Sequence, residues 1–119
     1  MPGGQVTSFL VTEAASHGVK LPQQKTVERY GITVDEWLAL LHNQGWCCPV
    51  CRKHKGVQWT TDHEHVRGWK AMPPEQRRRY VRGILCRHCN WKVVHSRLTA
   101  EQARRIATYL EAYEARRDS

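Results

Sequence analysis

Two cysteine pairs, Cys48-Pro49-Val50-Cys51 and Cys86-Arg87-His88-Cys89, carry the most specific chemistry in the chain. A CxxC turn sets two thiolates on one side of a tight knuckle. Two such knuckles complete a tetrahedron around zinc at about 2.3 Å per Zn–S bond. Four thiolates leave no open coordination position, so a zinc held this way is structural and its binding is coupled to folding. The segment between the pairs exceeds the roughly 15–20 residues of a plain zinc ribbon, so something is inserted between the knuckles. Cys47 is left over. It could replace Cys48, but Cys47 to Cys51 is a CxxxC spacing, and a small buried hydrophobe is the commoner fate of such a residue. His54 and His88 stand in reserve as ligands.

The inserted segment holds a second constellation. Asp62-His63-Glu64-His65 sits at the end of an expected strand, and Asn90 directly follows the last cysteine of the knuckles. If the strands 57–61 and 80–85 pair as a hairpin, a metal-bound Cys89 brings Asn90 close to the first strand's end. Asp62 and Asn90 then offer two hard oxygen ligands to one divalent cation, Mg²⁺ or Mn²⁺, with positions left for water and phosphate oxygens. His63 points the other way along the strand and is a candidate base poised near neutral pH. Alone, this run reads equally well as a solvated strand end. Joined to a zinc frame, a basic surface and Asn90, it points to a metal-dependent nuclease.

The basic surface is evident in the composition. The 119 residues carry 19 Lys and Arg against 11 Asp and Glu, a formal net charge of +8. The excess is clustered. Arg67, Lys70, Arg77, Arg78, Arg79, Arg82, Arg87, Lys92 and Arg97 are interrupted by a single acid, Glu75. One-sign clustering of this kind suits a phosphate backbone better than a merely solvated face, and DNA is the expected partner. Charges break the apolar stretches, so no membrane span is expected. The N-terminus has no basic start before its short apolar run, which argues against a secretory signal and for a cytoplasmic setting. Without a secretory signal, paired cysteines favour metal ligation over disulfides.

Several elements must position these groups. Residues 1–30 have weak periodicity broken by Pro2, Gly3, Gly4 and Pro22, and read as an arm or short irregular helix. Thr33 and Glu36 match a capping box, Val34, Trp37, Leu38 and Leu41 follow at helical spacing, and Gly45 supplies a stop. A helix over 34–44 is expected. Val57–Thr61 has the β-branched and aromatic content of a strand. Pro73-Pro74 opens a short helical turn through Arg79, and residues 80–85 form the second strand. A short helix is expected from Asn90 to about His95. Thr99 and Gln102 form another capping box, starting a helix to about Arg116 with Ile106, Tyr109, Leu110 and Tyr113 on one face. That face either packs back on Trp37 and Leu41 or joins a second copy of the chain. The five tryptophans read as packing for the core and the zinc shell ahead of platforms for stacked bases.

From Tyr30 to about Asn90 the chain resembles the phage recombination endonuclease VII family of branched-DNA resolvases. The resemblance rests on Tyr30-Gly31-Ile32-Thr33, Cys48-x-x-Cys51, Asp62-His63-Glu64-His65 and Val81-Arg82-Gly83-Ile84-Leu85-Cys86-x-x-Cys89-Asn90. It implies a small α+β fold with a ββα-metal (HNH, or His-Me finger) motif inserted between two zinc knuckles, flanked by N- and C-terminal helices. It also implies Asp62 and Asn90 as Mg²⁺ ligands, His63 as general base, His65 as an auxiliary active-site residue, and products with a 5′-phosphate and a 3′-hydroxyl. Val93 stands where family members can carry a glutamate three residues after the asparagine. The corresponding organisation is an arm over 1–30, a zinc-stabilised nuclease core over 31–97 and a C-terminal helix over 98–119. A phage origin would make the compartment the host cytoplasm. Two other readings remain open: an HNH nicking enzyme with no preference for branches, and a zinc-knuckle nucleic-acid-binding module without catalysis.

Overall fold

The computed structural model describes residues 8–95 and 97–118. It is an α+β structure whose two-stranded sheet packs on a layer of helices. Helices α1 (Ser8–Ser16), α2 (Gln24–Glu28) and α3 (Val34–Asn43) come first. Strands β1 (Trp59–His63) and β2 (Val81–Cys86) follow, with the short helix α4 (Pro74–Arg77) between them. A wide helical turn over Cys89–Val93 and the long helix α5 (Ala100–Asp118) complete the chain. None of the described helices is long and apolar enough to cross a membrane.

Helix α3 is the centre of the core. The Thr33 hydroxyl accepts from the Glu36 amide at 3.1 Å and the Glu36 carboxylate accepts from the Thr33 amide at 3.0 Å, so both ends of the expected capping box are made. Trp37, Leu38 and Leu41 are buried. The helix stops where Gly45 turns left-handed (φ 76°) and the Trp46 amide donates back to the Leu41 carbonyl at 2.9 Å.

The N-terminal segment, expected as an arm or short irregular helix, holds two short helices and is packed, with Leu10, Ala14, Val19 and Val27 in the same buried cluster as α3. The first seven residues of that arm lie outside the described residues. The stripe was obscured in the sequence because its central contact is a small residue, Ala14, fully buried against its neighbours, while the larger Phe9 points outward against the edge of His42.

The strands pair antiparallel with Thr60 opposite Leu85 and Asp62 opposite Gly83. Both lie slightly later than expected, so Asp62 and His63 belong to β1 instead of following it. The register slips between Asp62 and His63, which pairs with Val81 and leaves Arg82 as the extra residue of a bulge. Alternation gives the hairpin two faces. Thr61 and Ile84 face the core, where Trp37 Nε1 donates to Thr61 Oγ1 at 3.1 Å. Thr60 and Asp62 lie on the other face, where the Thr60 hydroxyl meets Asn90. The Gln44 side-chain amide exchanges hydrogen bonds with the Ile84 backbone at 2.7 and 2.9 Å, covering an otherwise open strand edge.

Helix α5 starts with the expected capping box between Thr99 and Gln102. It does not pack back on Trp37 and Leu41: no residue of α5 is buried, and Ile106, Tyr109, Leu110 and Tyr113 are all exposed. The core is already covered by α1 and the hairpin, which leaves α5 nothing apolar to reach.

Between α2 and α3 the chain turns at Gly31 (φ 74°), where a Cβ would sit 1.9 Å from the Pro74 carbonyl oxygen. Gly68 is also left-handed (φ 83°), but a Cβ there meets nothing. Gly31→Ala is therefore expected to lose more than about 2 kcal/mol in urea denaturation, against about 1–2 kcal/mol of left-handed backbone strain alone for Gly68→Ala. Equal losses would show that the close approach of α4 is not a constraint.

Candidate metal and nucleic-acid site

Cys48 and Cys51 lie on the loop after α3, while Cys86 ends β2 and Cys89 begins the helical turn. Their four sulfur atoms lie within 4.8 Å of one another. The Cys51 and Cys86 sulfurs are 3.7 Å apart, close to the tetrahedron edge of about 3.8 Å that follows from ~2.3 Å Zn–S bonds. The set could hold a zinc ion, as the spacing implied. The knuckle is closed by the Arg52 amide donating to the Cys48 carbonyl at 2.8 Å, with Arg52 left-handed (φ 68°). The Cys89 amide points at the Cys86 sulfur at 3.3 Å. Burial pushes the Cys89 thiol up, and neighbouring thiols add to this. At Cys48 burial acts in the same direction, but hydrogen bonds from the backbone of Cys51, Cys86 and Val50 outweigh it and bring the thiol to about 7. Cys47 is buried outside the cluster and donates to the Gln44 carbonyl at 3.1 Å. His54 and His88 are not in it either.

Asp62 is 5% exposed, and both of its carboxylate oxygens accept from Arg82, at 2.9 Å from Nε and 3.0 Å from Nη2. The bulge puts Arg82 there. Asn90 Nδ2 donates to Thr60 Oγ1 at 3.0 Å, on the face of β1 that also bears Asp62. With its nitrogen committed, the amide offers its oxygen as a ligand. A carboxylate and an amide oxygen on one side of the hairpin are a donor set that suits a hard divalent cation. A cation on Asp62 would have to displace Arg82, whose side chain is 39% exposed.

His63 lies in an aromatic nest. Its ring stacks on Trp69 at 3.9 Å and 15°, on His65 at 4.6 Å, and is tilted 5.7 Å from Tyr30. Burial lowers its pKa below the usual histidine value; His65, Arg82 and Arg77 act in the same direction, and Asp62 opposes them. A lowered pKa favours the neutral form of the ring, the form a base requires. Trp69 and Tyr30 were not expected near this site. Tyr30 lay within a matching motif, but nothing in the sequence signalled that Trp69 would fold back over His63.

The basic residues fall into two groups. Arg77 donates to three backbone carbonyls, of Trp69, Arg29 and Lys70, at 3.2, 3.0 and 3.1 Å, tying the inter-strand loop to the end of α2. Arg78 pairs with the Glu36 carboxylate, at 2.7 Å from Nη1, and this holds the Glu36 carboxyl below the usual range. With Arg82 on Asp62, these three have partners inside the protein. Arg67, Lys70, Arg79, Arg87, Lys92 and Arg97 are exposed. Arg79 lies over Tyr80 and Arg87 over Trp91.

Residues 23–112 match the profile of the recombination endonuclease VII family. Two phage proteins, each named Gene 59 protein, are similar to the chain. The one from Mycobacterium phage D29 is 30% identical over 91 residues, covering 74% of this chain and 48% of its own length. The one from Mycobacterium phage L5 is 31% identical over 70 residues, covering 57% of this chain and 36% of its own length. The chain thus spans about half or less of the relatives it matches. No solved structure gives a significant match. With a matching profile that runs from before α2 well into α5 and takes in both cysteine pairs, Asp62, His63 and Asn90, the chain belongs to the recombination endonuclease VII family.

Proposed function

We propose that this chain is a metal-dependent DNA endonuclease acting on branched DNA such as Holliday junctions, with β1, β2 and the Asn90 turn as a ββα-metal motif. The observation that supports this reading is the Asn90 side chain donating to Thr60, on the face of β1 that also bears Asp62, with His63 next along the strand. Mg²⁺ or Mn²⁺ held by Asp62 and Asn90 would neutralise charge developing on the phosphate. His63 takes a proton from a water molecule, whose oxygen bonds to phosphorus as the P–O3′ bond breaks. The departing O3′ takes a proton from solvent, and the products are a 5′-phosphate and a 3′-hydroxyl. Trp69 holds the His63 ring in place, and His65 is an auxiliary group beside it. Arg67, Lys70, Arg79, Arg87 and Lys92 hold flanking phosphates and set register without reading bases. The cysteine cluster holds a structural zinc. Cleavage of a four-way junction against its separate linear arms tests the substrate: equal cutting indicates a nicking enzyme without branch preference. Binding without cleavage indicates a non-catalytic module.

His63→Ala is expected to lower cleavage by at least about 10²–10⁴-fold while leaving zinc content and DNA binding intact. Wild-type turnover by the variant would remove His63 from the mechanism.

The two metals should be separable. Asp62→Ala or Asn90→Ala should abolish Mg²⁺-dependent cleavage and leave one zinc per chain in elemental analysis. Cys86→Ser should lower zinc content and melt the domain, because structural zinc binding and folding are coupled. A folded, zinc-loaded Cys86→Ser protein would refute this ligand set.

Helix α5 carries Ile106, Tyr109, Leu110 and Tyr113 exposed along one face. A second copy of the chain covering this face would give a two-fold dimer with two active sites for paired cuts. Ile106→Glu combined with Leu110→Glu is then expected to yield a folded monomer that nicks junctions without resolving them. Sedimentation checks this, and a wild-type monomer with and without junction DNA would exclude the dimer.

A further inference from the structure

Beside the cysteine cluster is an open cavity of about 950 Å³. Its lining includes Arg52, Lys53, Lys55, Arg87 and Lys92, and no acidic residue. Trp91 forms part of the wall, with the Arg87 guanidinium 4.2 Å from its ring centroid. Trp37 and Trp46 are buried and Trp59 and Trp69 half-buried, whereas Trp91 is 58% exposed. An indole this exposed, in a concave site with an excess of positive charge, has the two properties of a single-strand platform: an aromatic face for a base and cations for the backbone. Arg87 against the ring adds a planar cation to the platform.

We propose that this groove binds unpaired DNA next to the cleaved bond, with a base stacked on Trp91 and its flanking phosphates on Lys53, Lys55 and Lys92. Paired bases are stacked inside a duplex and cannot reach into a cavity of this kind, so the groove selects DNA with unpaired nucleotides. Its position fits a flanking role. The groove opens at the Gln58 and Cys86 end of the hairpin, and Trp91 directly follows Asn90. Asp62 is three residues along β1 from the partner of Cys86, roughly 10 Å at ~3.3 Å per residue. That is a span of about three nucleotides if the strand keeps the ~3.4 Å rise of a duplex, and fewer if it is extended. This specificity rests on the endonuclease reading for its place in the reaction, but the binding itself does not.

Fluorescence anisotropy of the zinc-loaded full chain, in buffer without magnesium or chelator, tests it with labelled oligothymidylate and with a hairpin duplex. Trp91→Ala is expected to weaken oligothymidylate binding roughly 5- to 100-fold and leave duplex binding unchanged, with Trp91→Phe retaining most of the affinity. Equal losses on both DNAs, or no loss on either, overturn the proposal. Lys55→Glu, on the exposed rim, should also weaken oligothymidylate binding; unchanged affinity in that variant excludes the groove as the strand's path. The endonuclease reading fails by a different result, the absence of magnesium-dependent nicking by the wild type, which these binding measurements do not use.

Discussion

Four sulfur atoms from two segments far apart in sequence converge within 4.8 Å, and the geometry of the hairpin side of the molecule follows from that convergence. β2 runs directly into Cys86, the helical turn starts at Cys89, and the first knuckle follows the end of α3. The cluster is thus the joint between the helical layer, the hairpin and the turn that carries Asn90. A two-stranded hairpin is marginal by itself. Here one end is held by the cysteines and one face rests on α3 through Trp37 and Thr61. A small domain with few buried residues benefits from such a staple, the more so because α5 contributes nothing to the core.

The bulge at Arg82 shows how a local irregularity serves the buried carboxylate next to it. A buried carboxylate without a counter-charge is costly. By leaving Arg82 unpaired in the ladder, the register slip turns its guanidinium onto both oxygens of Asp62. Arg82 itself remains partly exposed, so the pair sits at the edge of the buried carboxylate.

Charge in this molecule has two uses that composition cannot separate. Arg77 is embedded in a set of backbone carbonyls and also lies over Trp69, the ring that stacks on His63. It therefore supports the wall of the candidate site from behind. Arg78 closes the gap between α4 and α3 through Glu36. The remaining exposed cations, with Trp91, face solvent.

Local spacing alone determined the elements whose signals are local. The capping boxes at Thr33 and Thr99 need only residues three apart, the α3 stripe repeats within one helix, and a CxxC knuckle is a single turn. These were legible because each satisfies backbone or ligand geometry without help from elsewhere in the chain. Helices α1 and α2 were not, because what makes them helical in place is close packing of Ala14 and Val27 against α3, which leaves no strong periodicity. Nor were the partners of Arg77, Arg78 and Arg82, the nest around His63 or the exposure of Trp91. Each of these depends on which segments the fold brings side by side, and a side chain's partners across tens of residues are decided by packing, where the sequence carries only its type.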